Sequence, residues 1–321
     1  MALSSLRAIA ILLASVLSIT GTPASAQTSE TNPLLRESLP ESPAESFARQ
    51  PGAGSALAPK FGEMLRLAAK LTEDSESIPR GLVWRVFEPE PGADGKLALV
   101  ATATGGETEF RLAPGSYLVH AAFGRAGATK RITMARNARN ETLVLDAGGL
   151  KLNAVLEGNA KIPPKKLRFA IHAGEEDEDG EKPLILPNVR PGAVVRLNAG
   201  MYHVVSNYGS TNAIVRGDIR VEAGKLTEAT LEHNAALVNI KLVRQEGGEA
   251  IADTAWSILT ASGEVVRESV GAYATQVLAA GDYTAIARNK ERIFQRDFSV
   301  KSGEDVEVEV VSTQAATNEA N

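Results

Sequence analysis

The chain has 321 residues, a formal net charge of −5 and only 5% aromatic residues, with acidic and basic side chains mixed along its length. That balance offers no basic footprint for nucleic acid or anionic lipid. Zero cysteines exclude disulfides, iron–sulfur clusters and thiol catalysis.

Residues 1–26 read as an export signal. Arg7 supplies a positive start, Ile9 to Ile19 a short apolar run, and Ala24-Ser25-Ala26 before Gln27 a small-x-small cleavage pattern. The run is shorter than the roughly 20 apolar residues of a membrane span, so no span is expected after cleavage. This predicts an exported chain, periplasmic or secreted. Residues 27–60, rich in Ser, Pro, Glu, Ala and Gly, are predicted to be a disordered linker.

From residue 61 onward the chain repeats itself. Leu65, Leu150 and Leu237 step by about 85 residues, and so do Gly115-Ser116-Tyr117, Gly200-Met201-Tyr202 and Gly281-Asp282-Tyr283. The apolar period is two, most plainly in Val306-Glu307-Val308-Glu309-Val310. In the first copy it predicts strands near 64–71, 82–87, 97–103, 108–112, 117–123, 129–134 and 141–145, separated by Gly and Pro turns. The stretch Phe61–Leu71 has some helical character, but its alignment with Leu150–Leu156 and Leu237–Val243 favours a strand.

Seven short strands in a unit of this size predict an antiparallel two-layer sandwich. The expected architecture is therefore all-β, with three tandem Ig-like or prealbumin-like sandwich repeats at 61–146, 147–233 and 234–311 and a disordered tail at 312–321. Trp84, Phe169 and Trp256 are the expected core rings. Tyr117, Tyr202 and Tyr283 should point inward, with each hydroxyl able to reach backbone at the sandwich edge. Gly115, Gly200 and Gly281 should adopt a φ that would strain other residues.

The segments Phe110–Val119, Val195–Val204 and Val277–Ala285 share the form apolar-x-Leu-x-x-Gly-x-Tyr-x-Val, departing in the third copy at Gln276 and Ala285. This hairpin resembles that of carboxypeptidase-regulatory-like and transthyretin-like sandwiches of exported bacterial proteins. Gly247 to Trp256 resembles the strand that opens such a unit. The resemblance implies stability, spacing or adhesion roles and brings no catalytic residues with it.

Chemistry is sparse. His120, His172, His203 and His233 form no His-x-His or His-Glu-x-x-His pattern and read as scattered. The acidic run Glu175–Glu181 makes Asp177, Asp179 and Glu181 the candidate metal ligands, although a solvated turn is the favoured reading. Asp74-Ser75-Glu76-Ser77 reads as a turn. No nucleophile motif or phosphate-binding glycine motif is present. The expected function is a non-catalytic scaffold, spacer or interaction module of the cell envelope, with no cofactor. Its expected partner is an envelope protein or extracellular polymer. Alternatives are a calcium- or carbohydrate-binding module, with Tyr208 and Tyr273 as sugar-stacking candidates if exposed, and an enzyme with a site assembled from loops.

Overall fold

The structure, a computed structural model, describes residues 62–313; the expected signal at 1–26, the linker at 27–60 and all but the start of the tail lie outside the described residues. Within them the alternating apolar pattern becomes strand after strand. The first set is β1 (Glu63–Lys70), β2 (Leu82–Pro91), β3 (Leu97–Gly105), β4 (Thr108–Leu112), β5 (Gly115–Phe123), β6 (Ala126–Met134) and β7 (Arg139–Val144). The second is β8 (Ala147–Leu156), β9 (Ala160–Lys161), β10 (Leu167–Ala173), β11 (Leu184–Val189), β12 (Val194–Asn198), β13 (Gly200–Tyr208), β14 (Ile214–Val221) and β15 (Leu226–His233). The third is β16 (Ala235–Val243), β17 (Thr254–Thr260), β18 (Val265–Val270), β19 (Tyr273–Ala279), β20 (Gly281–Asn289), β21 (Arg292–Val300) and β22 (Val306–Val311).

These strands make six sheets with one recurring order. A sheet β4-β1-β7 faces β3-β2-β5-β6; β12-β8-β15 faces β11-β10-β13-β14; β19-β16-β22 faces β18-β17-β20-β21. The fold is the expected all-β sandwich, with one refinement. The first and last strand of each set pair in parallel: β1 with β7, β8 with β15, β16 with β22. The last strand of each set arrives from the opposite sheet and so can lie alongside the first in the same direction.

Period-two sequence puts one side of each strand into an apolar cluster. Trp84, Phe169 and Trp256 are buried, one in each of three clusters. Both indoles are satisfied: Trp84 Nε1 donates to the Gly106 carbonyl at 2.7 Å and Trp256 Nε1 to that of Gly271 at 2.9 Å. The strands beginning at Gly115, Gly200 and Gly281 share one inward parity. Val119, Ala121, Val204, Ser206, Ala285 and Ala287 are all fully buried. On β22, Val308 and Val310 face inward, while Glu307 and Glu309 clasp Lys241 of the parallel neighbour at 2.7 and 2.9 Å.

The clusters reach beyond the strand sets. Ala147 of β8 packs in the first cluster, and Ala235 of β16 and Val277 of β19 pack in the middle one. Without disulfides, this continuity adds to the apolar surface each small sandwich buries.

The three glycines that recur in the repeat differ in what they require. Gly281 has φ 152 and Gly200 φ 159, whereas Gly115 does not adopt a positive φ. The expected backbone demand is therefore absent at Gly115, where a Cβ would meet the Tyr117 ring at an ordinary 3.7 Å. Gly200 lies close to the extended region and a Cβ there would meet nothing within 4 Å. Gly281→Ala should cost about 1–2 kcal/mol and Gly200→Ala less. Gly115→Ala should stay within about 0.5 kcal/mol. Urea unfolding of the three variants checks the order; equal losses would show that the turn backbone is not what selects glycine.

Candidate functional site

For a tandem protein the first place to look is where one sandwich meets the next. Each sandwich carries the same local device, and both meeting points between successive sandwiches are built on it. Tyr117, Tyr202 and Tyr283 donate their hydroxyls to the carbonyls of Ala113, Asn198 and Ala279, four residues upstream, at 3.0, 2.9 and 2.9 Å. The bond folds the strand-to-strand turn back against the ring, leaving a small rigid knuckle at the end of β4, β12 and β19.

At the first junction the tip of the β5–β6 hairpin rests on the knuckle of the middle sandwich. The Arg125 N–H donates to the Arg196 carbonyl at 3.0 Å, and the Arg196 guanidinium lies 4.3 Å over the Phe123 ring. The Asn198 amide bridges the two bodies. Its Oδ1 accepts from Gly127 N–H at 3.2 Å, and its Nδ2 donates to the carbonyls of Gly127 and Leu145 at 3.1 and 2.7 Å. The connecting residue Asp146, at φ 48, offers its carbonyl to Ala199 N–H at 2.7 Å.

The second junction repeats the plan with the amide moved to the other partner. Here Asn212, on the hairpin between β13 and β14, reaches across to the last sandwich. Its Nδ2 donates to the Tyr283 hydroxyl at 2.8 Å and its Oδ1 accepts from Ala279 N–H at 3.1 Å. The Tyr283 hydroxyl thus both donates and accepts. Thr211 Oγ1 donates to Gln276 Oε1 at 3.3 Å. The connecting residue Asn234 binds Ala280 N–H through its carbonyl at 2.8 Å, as Asp146 does for Ala199. Where Arg196 lies over Phe123 at the first junction, Val277 enters the middle sandwich's apolar cluster, which also holds Tyr208, at the second.

The other sequence candidates are placed as follows. Asp177, Asp179 and Glu181 lie exposed on the turn between β10 and β11. The Asp177 carboxylate closes that turn itself, accepting from the N–H groups of Asp179 and Glu181 at 3.1 and 2.9 Å. Among the described residues no three His, Cys, Asp or Glu side chains converge as a metal cage. Ser75 Oγ accepts from the N–H groups of Leu71 and Thr72, both at 3.0 Å, and so forms a turn. Tyr208 is buried, with its ring 6.0 Å from that of His233, and cannot stack on a sugar, whereas Tyr273 is exposed. In the hollow lined by β1, β4 and β7, Arg66 pairs with Glu109 at 2.7 Å and Lys130 with Glu141 at 2.7 Å, with Arg139 also on Glu141. Burial would raise the Glu141 carboxyl, but the hydrogen bonds from Lys130 and Arg139 outweigh it and hold that group below its ordinary range.

One polar pair is invisible in the sequence. Ser206 Oγ lies 2.8 Å from His233 Nε2, both side chains sealed inside the middle core. Ala121 and Ala287 stand where Ser206 does. A hydroxyl beside an imidazole has the makings of a nucleophile and base, but neither atom meets solvent, so the pair satisfies itself and nothing else. Burial pushes the His233 imidazole below its ordinary value.

Two outcomes follow from this geometry. Asn198→Ala removes the bridging amide and should cost about 1–3 kcal/mol; Asn212→Ala should cost a similar amount. Calorimetry should show the unfolding transition broaden or split in each variant as neighbouring sandwiches uncouple. An unchanged transition would mean the amides do not couple them. For His233, the neutral form belongs to the fold and the unfolded chain takes up a proton near pH 6.5. Its contribution is therefore complete above about pH 6.5 and lost as pH falls through the lower folded value. His233→Gln should flatten that limb of the stability–pH profile measured by urea unfolding.

Comparison with known proteins gives one family model that matches the last part of the chain and several distant structures. No curated protein matches. The bacterial TIE protein of Bacillus anthracis is 19% identical with a TM-score of 0.23; the match covers 78% of this chain and 50% of that one, so this chain spans half its length. The minor pilin GBS52 of Streptococcus agalactiae is 14% identical over 53% of this chain and 95% of that one, with a TM-score of 0.31. A streptococcal ancillary pilin is 12% identical over 78% and 99%, with a TM-score of 0.27. Residues 237–312, the last strand set, match the model of the Rhizobiales growth-associated tandem repeat domain.

Proposed function

We propose that this chain is a non-catalytic repeat protein, exported through the signal pattern at 1–26 to the periplasm or beyond. There it works as a scaffold, spacer or interaction module of the cell envelope. Three copies, 61–146, 147–233 and 234–311, would form the working unit. The observation that carries this reading is the repeated junction. Two different asparagines perform the same bridging task at successive tyrosine knuckles, so the sandwiches are braced against one another instead of hanging from free linkers. The match of 237–312 to a growth-associated tandem repeat domain supports a role in which repetition itself matters.

Partner contacts are assigned to the exposed outer strands. Leu97 and Leu99 on β3, Leu184 on β11, and Val265 and Val270 on β18 are exposed apolar residues on equivalent edge strands of the three sandwiches. Such edges can accept a strand or an extended polymer. Among the described residues no helix is long and apolar enough to cross a membrane, a statement that does not bear on β-barrels.

Photo-crosslinkers placed at Leu99, Leu184 and Val265 in the full chain, expressed in the native host, test the proposal. Discrete adducts with an envelope protein or polymer from at least one edge are expected. Labelling no greater than that of a crosslinker at an exposed position away from these edges, such as Glu304, would overturn it. Calorimetric titration with Ca²⁺ and with cell-wall glycans separates the rival binding-module reading, for which saturable heat is required.

A further inference from the structure

Two of the chain's four histidines, separated in sequence by β11 and β12, stand directly opposite each other in the middle sandwich. His172 on β10 pairs with His203 on β13, and His203 pairs in turn with Asp218 on β14. The sequence reading of scattered histidines is corrected here, because strand register supplies a proximity that spacing along the chain conceals. The rings meet edge to face, with centroids 6.3 Å apart and planes at 70°.

Both imidazoles are held by the same nitrogen. His172 Nδ1 lies 2.9 Å from the Lys182 carbonyl, which can only accept, so Nδ1 carries the proton. His203 Nδ1 lies 2.7 Å from Asp218 Oδ1 and likewise donates. In the neutral rings this leaves a lone pair on each Nε2, and neither Nε2 has a hydrogen-bond partner among the described residues. A carboxylate or carbonyl behind Nδ1, with Nε2 open in front, is the arrangement that orients histidines toward metal ions. The same strand pair carries Phe87 opposite Leu118 in the first sandwich and Leu259 opposite Thr284 in the last, so the pair is specific to the middle copy.

We propose that His172 and His203 bind a divalent transition-metal ion of the zinc type through their Nε2 atoms, with Asp218 and the Lys182 carbonyl as positioning groups. Imidazole ligands select such ions over calcium or magnesium. At metal–nitrogen distances of about 2.0–2.1 Å, two rings on one tetrahedral ion have centroids about 5 Å apart, so the rings must approach by about 1 Å. Side-chain rotation of the partly exposed His203 permits this. Because no third protein ligand converges, water completes the coordination and the site is an open one. The carboxylates of Glu175–Glu181, which begin just beyond β10, raise the local concentration of cations. The Lys182 ammonium, 3.5 Å from Asp218, opposes this and keeps the affinity modest.

The test is titration of the full-length protein with zinc chloride at neutral pH, followed by calorimetry and by the NMR signals of the four histidine rings. One saturable ion per chain is expected, moving the ring signals of His172 and His203 and leaving those of His120 and His233 in place. His172→Ala and His203→Ala should each weaken binding at least 10-fold, Asp218→Asn by about 10-fold, and the control His120→Ala not at all. Failure to saturate below millimolar zinc would overturn the proposal. So would ring signals that stay fixed while heat is released, which would place the ion on the acidic turn. The ring signals are read on the unmodified chain, so the result does not depend on any variant folding.

Discussion

The hydrogen bond from a tyrosine hydroxyl to a carbonyl four residues upstream organises this molecule. It appears at Tyr117, Tyr202 and Tyr283 with nearly the same length. A phenol packed against the core needs a partner for its hydroxyl, and the turn ahead of β5, β13 and β20 supplies it locally to the half-buried Tyr117 and the buried Tyr202 and Tyr283. The result is a fixed knuckle at the end of each sandwich. At Tyr202 and Tyr283 the preceding sandwich docks on that knuckle, using backbone groups that the turn has already oriented.

This arrangement explains how a protein with no disulfides and small individual cores can behave as more than a string of domains. Each junction combines backbone hydrogen bonds, one bridging asparagine amide and a side chain packed across, Arg196 on Phe123 or Val277 in the middle apolar cluster. The amide comes from the knuckle in one case and from the hairpin in the other. What is preserved is the hydrogen-bond requirement of the turn. The functional proposal rests on this bracing, and the proposed metal site rests on a separate elaboration of the middle copy's outer face.

Much of the architecture was legible because period-two patterning is a local property. Residues that alternate must line one face whatever they pack against, so the strands around Trp84, Phe169 and Trp256 and the inward parity of Val119, Val204 and Ala285 could be read directly. The edge tyrosines were readable because their partners lie only four residues away. Less legible was the demand at the glycines. Gly115, Gly200 and Gly281 hold matching places in the repeat, yet only Gly200 and Gly281 adopt a positive φ, a difference that their shared motif does not reveal.

The amino-acid order by itself therefore determined the strand content, the repeat and the identity of the core rings, since each depends on neighbours a few residues apart. Tertiary structure alone decided which side chains meet across strands and across sandwiches. His172 and His203, Ser206 and His233, and Asn212 and Tyr283 are far apart along the chain. Their contacts exist only because strand register and docking of one sandwich on the next bring distant backbone together, and no local pattern encodes that distance.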